Sequence, residues 1–156
     1  MKKRNKKYIP KPVFAFGGLA AFENIAQRSA DNKPIPDNHA TDCAAAYWIS
    51  FHQLTNGIAN EENWSTVVCS LNIGLILCEK GIGDEFEGIF NLALDGMVRA
   101  RTRGQASGNY RLDGDAITSV TECLHVHDQQ MRLATKSEIV SSLENVKNRI
   151  NSGDFI

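Results

Sequence analysis

The 156 residues are enough for one domain whose core needs neither metal nor disulfide staples. With 42% apolar and 22% charged residues, the composition excludes global disorder and fibrous architectures. A formal net charge of −1 conceals a division: Lys2, Lys3, Arg4, Lys6, Lys7 and Lys11 put six positive charges in the first eleven residues, which leaves 11 basic against 18 acidic side chains, a net of −7, in the rest.

Such a split marks a tail with its own partner, either nucleic acid or an acidic surface, or else a tail that only solubilises. Residues 1–13 are expected to form this basic arm, kept extended by Pro10 and Pro12. Tyr8-Ile9-Pro10-Lys11-Pro12 stands where a secretion signal needs an unbroken apolar run, so export is not expected. Residues 14–37 read as a docking segment and linker: Phe14, Phe16, Leu19 and Phe22 suit a short helix that Gly17-Gly18 weakens, and Pro34 and Pro36 keep the stretch before the first long helix irregular.

The helical domain is expected over 38–152. A first helix covers about 38–55, where Tyr47, Trp48, Phe51 and Leu54 fall at helical separations and Asn56-Gly57 supplies a left-handed C-cap. A second covers about 61–79, with Glu61 and Glu62 at the positive end of its dipole and apolar residues on most sides, the pattern of a central helix. Its apolar excess also suits a homodimer seam. Its most apolar stretch, 64–78, is shorter than the roughly 20 residues of a membrane span, and no membrane partner is expected.

Lys80-Gly81-Ile82-Gly83 reads as a turn, and Asp84 with Glu87 as a helix N-cap and its partner. The third helix then runs to about 103, with 104–114 a Gly-rich connection. A fourth starts at Asp113 or Asp115, and its Ile117, Val120, Leu124 and Met131 recur at helical spacing. Thr135 and Glu138 have the spacing of a capping box, and Ile139, Leu143, Val146 and Ile150 form the apolar stripe of a fifth. The expected fold is all-α, a compact bundle or an orthogonal array of about five helices behind an extended basic N-terminal arm.

Few residues carry a chemical signature. Cys43, Cys69, Cys78 and Cys123 sit in apolar stretches, as buried thiols of a reducing cytoplasm do. Cys123 and His127, at i and i+4, share a helix face and could serve a metal-dependent enzyme if His39, Cys43 or His52 completed the set. His125 and His127 would point apart on a helix. Buried or surface histidines explain the stretch as well, and no cofactor or catalytic residue is expected. Arg99, Arg101, Arg103 and Arg111 make a second basic cluster, readable as a phosphate-facing patch or as helix C-terminal charges, with Tyr110 a stacking surface for a base.

Lys2-Lys3-Arg4-Asn5-Lys6-Lys7-Tyr8, Asn63-Trp64-Ser65-Thr66, Leu94-Asp95-Gly96, Arg111-Leu112-Asp113-Gly114 and His127-Asp128-Gln129-Gln130 give the chain a texture that resembles small proteins of proteobacterial bacteriophages and prophages. The resemblance spans most of residues 1–150 and implies a protein of the bacterial cytoplasm that binds and blocks host machinery, as anti-CRISPR proteins do. The expected partner is then a host defence protein or ribonucleoprotein complex. The alternative is an accessory protein of phage replication or packaging that contacts DNA or RNA through Lys2–Lys11 and Arg99–Arg111.

Overall fold

The structure, a computed structural model, describes residues 32–153. Five α-helices succeed one another: α1 (Asp37–Asn56), α2 (Glu61–Glu79), α3 (Glu87–Ser107), α4 (Gly114–Leu133) and α5 (Lys136–Ser152). Among the described residues the β-structure is limited to a single bridge, Pro34 to Thr135. That bridge and the bond from Lys136 N to Lys33 O, 2.9 Å, pin the segment before α1 to the α4–α5 turn. The expected basic arm, and the docking segment as far as residue 31, lie outside the described residues.

Helix α2 is the axle, and α1, α3, α4 and α5 all pack on it. Every residue from Trp64 to Cys78 is buried, so its apolar excess is spent on the chain's own core. Its start is a reciprocal cap: Asn63 N donates to the Asn60 side chain at 3.0 Å and Asn60 N to the Asn63 side chain at 2.9 Å, using two donors a helix otherwise leaves unsatisfied. Close approach to α3 is possible because residue 74 is glycine; a Cβ there would lie 2.3 Å from the ring of Phe90. The Trp64 indole N–H donates to Met97 O at 2.8 Å and joins the same two helices.

Three expectations are corrected. Asp84 makes no cap; Gly83, left-handed at φ 79°, precedes a 3-10 turn (Asp84–Phe86) that leads into α3 without a side-chain cap bond. Helix α3 does not stop at 103. Gly104 lies inside it because the Tyr110 ring packs there, 2.4 Å from where a Cβ would stand, and the helix ends at Gly108. Tyr110 is therefore buried against α3 and is no exposed stacking platform.

The start signals of the last two helices hold. Asp113 caps α4 by accepting from Ala116 N at 3.0 Å, and the Thr135–Glu138 capping box opens α5. Ile139, Leu143 and Val146 are buried, with Ile150 half-buried against the core. No helix of the described residues is long and apolar enough to cross a membrane.

Candidate functional site

Two concavities of the described surface lie beside charged side chains at the two ends of α4. The first lies between the end of α3 and the start of α4. Asp113, besides capping α4, receives Arg99 through two nitrogens, at 2.8 and 3.0 Å, and Arg103 at 3.5 Å. Those guanidinium groups hold its carboxyl well below the usual carboxylate range. Arg103 also donates twice to the carbonyl of Arg111, at 2.8 and 3.0 Å. Arg101 lies over the Trp64 ring, 5.2 Å from its centroid. Three of the four clustered arginines thus have work within the fold. Arg111 is exposed beside a cavity of about 300 Å³ floored by Leu112 and Ser107.

The second lies between the first turns of α1 and the last turns of α4, a groove of about 610 Å³. Ala40, Ala44 and Met131 give it an apolar lining, while Asp37 and Arg132 stand exposed at its edge. Asp128 is its polar floor. Tyr47 donates its hydroxyl to Asp128 Oδ1, and the Trp48 indole N–H donates to the same carboxylate at 3.1 Å from Oδ2 and 3.3 Å from Oδ1. Tyr47 is buried, Trp48 and Asp128 half-buried. Burial and the neighbouring carboxylate push the tyrosine's ionisation far up, so it stays a neutral donor. Trp48 is braced by Phe51 edge-on at 5.8 Å and by His125 at 4.9 Å between ring centres. The carboxylate is therefore held in one orientation by two aromatic donors from the opposite helix.

Cys123 and His127 do share a face of α4, and that face points into the core. Burial pushes the Cys123 thiol up to about 12, which disfavours the thiolate a metal needs. His127 packs on Tyr47, 5.4 Å between ring centres, and its Nδ1 lies 3.3 Å from Gln130 Oε1. An amide oxygen can only accept, so Nδ1 carries the proton. His125 points outward to Trp48, away from His127. Among the described residues no group of three or more His, Cys, Asp or Glu side chains converges as a metal site would require. All four cysteines are buried and none is in a disulfide. Lys2, Lys3, Arg4, Lys6, Lys7 and Lys11 lie outside the described residues.

The chain matches no family model, no curated protein and no solved structure.

The groove was not legible in the sequence. Tyr47 and Asp128 are 81 residues apart, and Trp48 reads as one more apolar position of an amphipathic helix. The one local hint is the cluster of His125, His127 and Asp128 near the end of α4.

Proposed function

We propose that the protein acts by binding, not by catalysis, as an inhibitor of a host nucleic-acid-directed defence complex of the anti-CRISPR kind. The observation that supports this reading best is the charge of the described surface. Twelve of its 15 acidic side chains are exposed, among them Asp37, Asp42, Glu61, Glu62, Asp84 and Glu85. Six of its ten basic side chains are exposed, and Lys80, Arg99 and Arg101 of these are tied to partners within the fold. The exposed charge of the described helical body is therefore mainly carboxylate. Such a surface competes with phosphate for the Lys and Arg side chains that line a nucleic-acid cleft, and it steers association at low salt. The phage-like texture of the sequence points the same way.

Affinity capture from a susceptible host, paired with phage plating on defended cells, tests this. A defence component released by moderate salt, together with raised plating, is the expected result. Capture that retrieves no such component, with plating unchanged, removes the reading.

A second reading is favoured by exposed Arg111 beside its cavity and by the charges of Lys2–Lys11: direct binding of DNA or RNA in phage replication or packaging. Its affinity should fall steeply with salt, since each neutralised phosphate releases counterions. Unchanged binding after removal of residues 1–11 together with Arg111→Ala would count against it.

A further inference from the structure

We propose that the groove between α1 and α4 anchors an arginine side chain of a partner protein. This rests on the reading of the acidic body as a protein-binding surface and names the contact through which it grips. The groove offers two carboxylates, Asp37 and Asp128, against one guanidinium, Arg132, so its balance favours a cation. Its apolar lining at Ala40, Ala44 and Met131 suits the three-carbon stem of arginine, which gains by leaving water. Trp48 lines the groove, and the Asp128 carboxylate beside it is already aimed by Tyr47 and Trp48, so little ordering is left for the moment of binding.

The fold supplies its own precedent for this contact: Arg99 takes a carboxylate through two nitrogens. Arginine is favoured over lysine because its planar guanidinium bonds a carboxylate in a two-nitrogen fork. At about 610 Å³ the groove exceeds a single side chain and has room for the backbone that carries it.

The test is calorimetric titration of the full chain with a five-residue glycine-serine peptide bearing one central arginine, acetylated and amidated. A citrulline version keeps the shape and removes the charge. Saturable one-to-one binding is expected, about tenfold or more weaker for citrulline. Asp37→Asn and Asp128→Asn should each weaken it about three- to tenfold, and Arg132→Gln should tighten it about two- to threefold. Glu144→Gln, an exposed carboxylate on α5, should leave it unchanged. Because Asp128 also holds Tyr47 and Trp48, Asp37→Asn and Arg132→Gln decide the matter if Asp128→Asn melts early.

Several results would overturn the inference: no binding; equal losses in Asp37→Asn and Glu144→Gln, which would mean general acidity; or weaker binding in Arg132→Gln, which would mean an anion site. The functional reading fails separately, in the plating assay, and peptide binding as expected with unchanged plating would sustain the groove while removing the defence target.

Discussion

Helix α4 carries two polar seams, on neighbouring faces and within one turn of each other, and they are built in opposite ways. On the inner seam the Gln130 amide nitrogen donates to Gly74 O at 3.0 Å and Ile82 O at 2.8 Å, with Cys78 Sγ at 3.3 Å, while its oxygen faces His127. Cys78 in turn donates to Gly83 O at 2.9 Å. On the outer seam Asp128 takes two donors from α1 and keeps a side open to the groove. A buried amide whose bonding capacity is spent locks α4, α2 and the turn after α2 together and has nothing to offer a ligand. A carboxylate fixed from behind and open in front is a prepared contact. The same helix thus separates holding the fold from presenting a surface.

The largest effect that would break the inner seam is steric. Gly74→Ala drives a methyl into the Phe90 ring and within 3.1 Å of Gln130 Oε1, and should cost about 3 kcal/mol in a denaturant melt. Protonating His127 comes next. Burial lowers its pKa from the ordinary 6.5 to about 4, so the unfolded chain takes up the proton first as pH falls. Stability attributable to this residue is complete above pH 6.5, is lost on acidification through the window down to about 4, and should be down by about 2 kcal/mol at pH 5. His127→Gln should flatten that part of the pH profile. Gln130→Leu should cost a similar ~2 kcal/mol, because the amide that joins the Gly74 and Ile82 carbonyls and Cys78 Sγ to α4 is lost. The smallest is Asp113→Ala, which removes the α4 cap and the shared partner of Arg99 and Arg103, a loss of about 1 kcal/mol in a thermal melt.

The two seams differ from the helices in how far the sequence reveals them. Helix positions come from local patterns: the stripe Ile139, Leu143, Val146 and Ile150, the Thr135–Glu138 box and the Asn56-Gly57 stop all act within a few residues. The mostly apolar 64–78 stretch correctly indicates a central helix. Gly104 misleads because a glycine that ends a helix and one that admits an aromatic ring inside it are the same letter, and the ring that decides, Tyr110, sits past the helix end. The arginine cluster resembles a phosphate patch because its counter-charge, Asp113, lies 14 residues beyond Arg99 and reads locally as a helix cap alone. Neither seam can be read from local pattern, since each depends on pairs 48 to 81 residues apart, Gln130 with Ile82 and Asp128 with Tyr47. Periodicity tells which residues face inward, but not which partner meets them there.

The most direct measurement of this division of labour is the melting temperature of the full chain with and without a saturating concentration of the single-arginine peptide. A ligand that binds only the native state raises stability by mass action whatever the starting stability. The rise should appear in the wild type and in Gln130→Leu, whose baseline is lower, and should shrink to about half or less in the Asp37→Asn/Asp128→Asn double variant. An undiminished rise in the double variant, or its loss in Gln130→Leu measured where that protein is still folded, would contradict the assignment of binding to the outer seam and stability to the inner.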